Sequence, residues 1–174
     1  MSENVPIELK VNGEAVAKYI EPRLSLADFL REELELTGTH QGCEMGACGA
    51  CLVLLNGKAV HSCLMFAVQA AGDRVETIEG LSERKAIADI QEAFHTNNAL
   101  QCGFCTAGML VTAHELLSRN TTPTRNEIRD GLSGNYCRCT GYQAIVDSIE
   151  SVARSRADTA DTPANPDEHE VASS

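Results

Sequence analysis

The first twenty residues alternate between apolar and polar positions. Ile7, Leu9 and Val11 are separated by polar residues, Asn-Gly occupies positions 12 and 13, and a second extended run continues to Ile20. Alternation with a period of two is typical of a strand with one buried face, and Asn-Gly between two such runs is typical of a two-residue turn. The pattern therefore predicts a β-hairpin at the start of the chain.

A short helix and a second hairpin are predicted next. Ser25 and Asp28 have the spacing of a capping box, and the apolar residues that follow Ser25 share one helical face. The runs CLVLL and AVHSC flank another Asn-Gly at 56 and 57, and RVETIEG supplies a closing strand. Two hairpins, one helix and one strand indicate a small α+β domain over residues 1–80. The helical face consists of Leu26, Phe29, Leu30 and Leu34.

The spacing of apolar residues becomes helical after residue 80. Three long amphipathic stretches are separated by short polar segments, and Thr124 with Glu127 forms a capping box for a further short helix. We predict a boundary near 79–86 and a four-helix bundle over 81–155. The apolar positions of the three stretches are Ile87, Ile90 and Phe94; Leu110, Ala113, Leu116 and Leu117; Tyr142, Ile145, Val146 and Ile149.

The last segment differs in composition from the rest. Residues 156–174 contain no aromatic residue and a single Val. Such a segment buries too little apolar surface to offset the entropy of ordering, so we predict a disordered acidic tail.

Charge and cysteine content restrict the classes of function. The formal net charge of -11 disfavours binding to nucleic acid or to an anionic membrane, both of which need a basic face. The first ten residues lack the features of a signal peptide, and no long apolar window is present, so we expect a cytoplasmic protein. Eight cysteines in such a protein indicate metal or redox chemistry rather than disulfides.

The first four cysteines have the spacing of an iron-sulfur loop. Cys43, Cys48 and Cys51 are separated by four and two residues, as in plant-type 2Fe-2S proteins, and glycines between them permit unusual backbone angles. Cys63 follows the second predicted hairpin, from which it can return to the same centre. We predict that these four thiolates bind one 2Fe-2S cluster.

The remaining four cysteines form a second set. Cys102 and Cys105 precede one predicted helix, and Cys137 and Cys139 precede another. Helix N-termini carry free N–H groups and a positive dipole end, which favour an anionic thiolate cluster. We predict a second cluster pocket between these two helix starts.

The cysteines and histidines also allow other interpretations. Tetrahedral zinc is the main alternative for either set, although structural zinc sites usually combine two C-x2-C pairs, unlike these spacings. His40 and His61 lie near the first set and could replace a thiolate as in Rieske centres, but four cysteines make this unnecessary. The other histidines, His95, His114 and His169, are expected at a helix surface or in the tail.

Three motifs in order resemble those of a known family. GCEMGACGAC with Cys63, QCGFCTAG at 101–108 and GNYCRCTGY at 134–142 are similar to the iron-sulfur subunit of molybdenum-containing hydroxylases. This family includes xanthine dehydrogenase, aldehyde oxidoreductase and aerobic carbon monoxide dehydrogenase, and the resemblance covers about residues 5–155. It implies an N-terminal β-grasp domain like plant ferredoxin, followed by a four-helix bundle.

The resemblance also implies a function. Electrons would pass from a molybdopterin cofactor in a large partner subunit, through two 2Fe-2S clusters, to FAD in a medium subunit. The cluster of the second cysteine set would lie nearest the molybdopterin, and that of the first set nearer the flavin. Gln101 matches the glutamine that hydrogen-bonds the pterin, and Cys139 matches the ligand beside the pterin amine. The three subunits would form a heterotrimer, in one or two copies.

Some features limit or modify this prediction. Ala107 replaces a proline that is common in the family, and we expect little effect because alanine is a good helix former. No nucleotide-binding glycine motif is present, so we expect no substrate oxidation by this chain alone. A free-standing 2Fe-2S carrier and a zinc-stabilised binding module remain as rival functions. The substrate is not predicted, because its pocket would belong to the large subunit.

Overall fold

The first predicted hairpin is present. The computed structural model describes residues 3–161, with side chains to 159. Strands β1 (Val5–Val11) and β2 (Glu14–Ile20) pair in antiparallel register. Both turn residues have positive φ, 53° at Asn12 and 91° at Gly13, as a tight hairpin turn with the correct twist requires.

The second hairpin and the closing strand complete one mixed sheet. Strands β3 (Leu52–Leu55) and β4 (Lys58–His61) are joined through Asn56 and Gly57, which again have positive φ. Strand β5 (Arg74–Glu76) inserts between the hairpins, parallel to β1 and antiparallel to β3, which gives the order β2-β1-β5-β3-β4. Together with the helices below, this sheet confirms the predicted α+β class.

The helix between the hairpins begins as predicted and then widens. Ser25 accepts a hydrogen bond from the Asp28 N–H at 3.0 Å and so caps helix α1 (Leu26–Asp28). The chain continues as a π-helical turn over Phe29–Glu33. Leu26, Phe29 and Leu30 are fully buried on the predicted face.

Between β5 and residue 161, where the described part of the chain ends, there are five helices: the four expected and one additional helix. The additional helix lies at the predicted boundary, where its first turn follows Thr77, and Thr77 exchanges hydrogen bonds with the Asn12 side chain. This contact joins the segment to the first hairpin. The local spacing of apolar residues does not indicate it. The helices are α2 (Ile78–Glu83), α3 (Ala88–Thr96), α4 (Thr106–Arg119), α5 (Arg125–Gly131) and α6 (Gln143–Asp161).

The last helix extends into the segment for which we predicted disorder. Helix α6 continues to Asp161, so residues 156–161 are helical. Arg156 makes two hydrogen bonds to the Asp89 carboxylate of α3, at 2.7 and 2.8 Å, and this long-range ion pair supports the extra turns. The rest of the predicted tail, 162–174, lies outside the described residues.

Two apolar cores meet at β3. Val53 packs with β1, α1 and β5, whereas its neighbour Leu54 packs with the helices that follow the sheet. A strand that is buried on both faces reads as a continuous apolar run, which explains LVLL. Among the described helices, none is long and apolar enough to cross a membrane.

Candidate metal centres

The loop between α1 and β3 carries the first three cysteines. The N–H groups of Ala47 and Cys48 donate to Cys43 Sγ at 3.3 and 3.4 Å. The pKa of Cys43 falls to about 7, chiefly through a hydrogen bond from the Met45 backbone and then through the Cys48 thiol. Donors aimed at sulfur stabilise the thiolate, which is the form that binds a metal.

The β3–β4 hairpin brings Cys63 to Cys51. Cys51 directly precedes β3, and Cys63 lies in a short helical turn after β4. The Ser62 hydroxyl donates to the Cys51 carbonyl at 2.6 Å and closes the two ends of the hairpin. Burial, with a smaller contribution from the adjacent Cys63 thiol, raises the pKa of Cys51 to about 11.

The second set of cysteines comes from two distant segments. Cys102 Sγ and Cys139 Sγ lie 3.6 Å apart and are exposed. The Cys102 thiol is the main reason why the pKa of Cys139 is raised. The structure therefore joins the QCGFC segment to the CRC segment, as the prediction of one pocket requires.

Cys105 and Cys137 form the inner pair of this set. Cys105 lies at the N-terminal end of α4, where a helix dipole favours a thiolate. Burial and the Cys137 thiol outweigh that effect and raise the pKa of Cys105 to about 12. Burial is the largest single effect on the pKa of Cys137 and acts to raise it, but hydrogen bonds from Thr140, the Cys139 backbone and the Cys105 thiol together lower it.

The pairing of the thiols fits a two-iron group. A 2Fe-2S cluster takes two thiolates at each iron, whereas zinc gathers all four ligands around one ion. Among residues 3–159, whose side chains are described, no three Cys, His, Asp or Glu side chains surround one point closely enough for a single metal ion. The free thiols instead meet in pairs, which are Cys43 with Cys48, Cys51 with Cys63, Cys102 with Cys139 and Cys105 with Cys137.

Gln101 lies beside the exposed pair of the second set. Its Nε2 donates to the Cys139 carbonyl at 3.1 Å, and both side chains are exposed. The two residues that the resemblance assigns to the pterin therefore share one surface. Their contact with a cofactor stays a prediction.

Tyr142 has a role that periodicity did not indicate. We placed it on the apolar face of the last helix, but α6 begins at Gln143, and Tyr142 has a φ of 69° before the helix. Its hydroxyl accepts from the Cys137 N–H at 2.8 Å and donates to the Asn135 carbonyl at 3.1 Å. The side chain thus holds the loop that carries Cys137.

The two cysteine sets are in direct backbone contact. The Tyr136 N–H donates to the Cys48 carbonyl at 2.9 Å, one residue before Cys137. A Cβ at Gly108 of α4 would lie 2.1 Å from the Gly49 carbonyl oxygen, so only glycine permits this approach. Neither contact is visible in the spacing of the cysteines.

The family comparisons match each half of the chain separately. Residues 9–82 match the family described as 2Fe-2S iron-sulfur cluster binding domain. Residues 77–150 match the family described as [2Fe-2S] binding domain. The two matches contain the first and second cysteine sets, respectively.

Several characterised relatives align over most of this sequence. The nicotine 6-hydroxylase small subunit of Paenarthrobacter nicotinovorans is 50% identical over 148 residues, which cover 85% of this chain and 89% of the relative. Caffeine dehydrogenase subunit gamma of Pseudomonas sp. (strain CBB1) is 49% identical, over 88% of this chain and 93% of the relative. The xanthine dehydrogenase iron-sulfur-binding subunit of Escherichia coli O157:H7 is 41% identical, over 85% of this chain and 94% of the relative.

Solved structures of two oxidoreductases share the fold. Quinoline 2-oxidoreductase from Pseudomonas putida 86 superposes with a TM-score of 0.84 and 48% identity, over 92% of this chain and 99% of that one. Aldehyde oxidoreductase from Desulfovibrio gigas gives a TM-score of 0.83 and 37% identity, over 89% of this chain. The match covers only 17% of the latter, which is a much longer chain.

Proposed function

This chain belongs to the small iron-sulfur subunits of the molybdenum hydroxylases, the xanthine dehydrogenase and aldehyde oxidoreductase family, and we propose that it carries electrons between two partner subunits. The source would be a molybdopterin centre in a large subunit, and the acceptor FAD in a medium subunit. Two 2Fe-2S clusters would connect them. The relatives named above are subunits of oxidoreductases, which supports the electron-transfer role.

The single observation that carries this proposal is the pairing of eight free thiols. Each set contributes two pairs, and each pair suits one iron of a two-iron cluster. A 2Fe-2S cluster supplies one-electron transfer when it is bound. This chain's own part is to offer the thiolates, donate N–H groups to sulfur, and keep Cys51 buried and the Cys105–Cys137 pair partly shielded from water.

The surface around each set supports docking to a fixed partner. Met45 and Leu64 are 72% and 61% exposed, and Leu64 lies directly over Gly46 of the first loop. Near the second set, Phe104 and Tyr136 are 47% and 61% exposed. Apolar side chains that cluster at an electron-transfer site favour a permanent interface over a free carrier.

The exposure of the second set supports the orientation that the family resemblance implies. Gln101, Cys102 and Cys139 are exposed, so this edge would face the molybdopterin subunit. The first set would face the flavin subunit. We further propose that residues 1–80 form the β-grasp domain and 81–155 the four-helix bundle, with the short α2 as an addition.

A free-standing carrier is the second candidate, because the outer pair of the second set is already exposed. Such a carrier would be isolated alone and would reduce its acceptor by diffusion. Purification under native conditions separates the two functions. Stoichiometric recovery with a molybdenum subunit and a flavin subunit is expected, whereas recovery of the chain alone would favour the carrier.

Substitution of one cysteine in each set tests the ligand assignment. We expect Cys43→Ser to remove the EPR signal of one reduced cluster and Cys102→Ser to remove that of the other, because serine replaces a preferred thiolate ligand with a hydroxyl. Each variant is the control for its counterpart. Two complete cluster signals in both variants would show that the ligand sets are wrong.

A further inference from the structure

A histidine and a phenylalanine connect the two cysteine loops. His40 lies three residues before Cys43, and Phe104 lies between Cys102 and Cys105. Their rings stack with centroids 4.8 Å apart and planes 16° from parallel, which is the offset arrangement that aromatic pairs prefer. We call this pair the His40–Phe104 clasp.

The clasp also contains a hydrogen bond. His40 Nδ1 lies 2.8 Å from the Phe104 carbonyl oxygen. A carbonyl can only accept, so Nδ1 carries the hydrogen and donates it. One side chain of the first half thus holds both the ring and the backbone of a single residue in the second half.

The Phe104 ring reaches the first cysteine set. A Cβ at Gly42 would lie 3.3 Å from the ring edge and 3.1 Å from Cys48 Sγ, so ring and thiol line the same small space. Phe104 is 47% exposed and belongs to neither apolar core. Its position therefore depends on His40 and Gly42 rather than on burial in a core.

The first loop is attached to both segments of the second set. The clasp joins it to the segment of Cys102 and Cys105, and the Tyr136–Cys48 hydrogen bond joins it to the segment of Cys137 and Cys139. With one attachment a loop can pivot, whereas two attachments at different segments fix both its distance and its orientation.

We propose that His40 and Phe104 are positioning residues that set the separation and relative orientation of the two cysteine sets. This inference rests on the proposed function, in which both sets bind a cluster. Electronic and magnetic coupling between two centres falls steeply with distance. A small displacement of one loop would thus weaken the communication between the sets while each set stays intact.

The test measures coupling between the two clusters in the complex as isolated, after full reduction. Spin–spin interaction between the reduced clusters splits their EPR signals, and iron content and g-values report on each cluster separately.

Three substitutions separate the hydrogen bond of His40 from its ring contact. His40→Asn keeps a donor in place of Nδ1, His40→Phe keeps a ring, and His40→Ala keeps neither. Phe104→Leu removes the ring from the other side, and His95→Ala on the exposed surface of α3 is the matched control.

We expect His40→Ala and Phe104→Leu to lose most of the splitting, with both clusters present and their g-values unchanged. His40→Asn and His40→Phe should each retain part of it, and His95→Ala should equal the unsubstituted protein. If His40 and Phe104 only stabilised the fold, their substitution would lower the free energy of unfolding without a selective loss of the EPR splitting.

Several results would overturn the proposal. One is full splitting in both His40→Ala and Phe104→Leu, and another is no splitting in the unsubstituted protein with two clusters. Loss of one cluster in every His40 variant would assign His40 to cluster assembly. Loss of a partner subunit with splitting retained would assign Phe104 to docking. Absence of clusters from the unsubstituted complex would instead contradict the proposed function itself.

Discussion

Asn135 and Thr112 show how single buried polar residues support the cysteine loops. Asn135 is 3% exposed, precedes Tyr136 and Cys137, and accepts at Oδ1 from the Thr112 hydroxyl at 3.0 Å. Thr112 lies on α4, so this bond fixes the second loop to the helix that follows Cys105. The spacing of the cysteines was enough to predict two sets, but a lone threonine within a helical pattern carries no such signal.

Replacing Thr112 with valine tests the importance of this bond. The substitution keeps the side-chain shape but leaves the buried Asn135 oxygen without a donor, which costs about 1–3 kcal/mol in the free energy of unfolding. Thr112→Ser is the control, because it keeps the hydroxyl. The midpoint of urea unfolding is measured for both variants at equal iron content. If Thr112→Val and Thr112→Ser shifted this midpoint equally, the hydrogen bond would have no special role.

Elements that depend on local chemistry were predicted well. The Asn-Gly turns at 12–13 and 56–57, the N-cap at Ser25 and the capping box at Thr124 all occur in the structure. In each case the residues that specify the element are close in sequence, so a short pattern is sufficient. The extra helix α2 was not predicted, because its start depends on the distant side chain of Asn12.

The length of α6 depends on an ion pair and therefore on pH. Arg156 hydrogen-bonds the Asp89 carboxylate and thereby lowers the pKa of Asp89 below its ordinary value. Because the pKa of Asp89 is lower in the folded protein than in the unfolded chain, the ion pair stabilises the fold fully at pH values above the unfolded-state pKa near 4. This stabilisation is lost as the pH falls through the folded-state pKa. The end of α6 should therefore loosen in acid below about pH 4.

Asp89→Asn should produce the same loosening at neutral pH. The ion pair is partly exposed, so its loss should cost only about 0.2–1 kcal/mol, chiefly in the last turns of α6. Trypsin cleavage at Arg154 and Arg156 should become faster, and amide exchange there should increase. Glu92→Gln, an exposed change on the same helix, is the control. Cleavage equally fast in the original protein and in Asp89→Asn would contradict the role of this pair.

Over the whole molecule, the two halves form a continuous structure around β3. Val53 and Leu54 point into different cores, and the Gly49–Gly108 approach brings the cysteine loops together. The periodicity of apolar residues predicted the strands and most of the helices, and the spacing of the cysteines led to the prediction of two sets. The mutual approach of the sets was not predictable, because the contacts join residues far apart in sequence and include backbone groups that every residue carries.

Metal analysis of the native complex tests the central claim most directly. The account predicts about four iron atoms and four acid-labile sulfides per copy of this chain, with no stoichiometric zinc, in material purified without oxygen. Zinc in place of iron, or about two iron atoms per chain, would contradict the presence of two 2Fe-2S clusters.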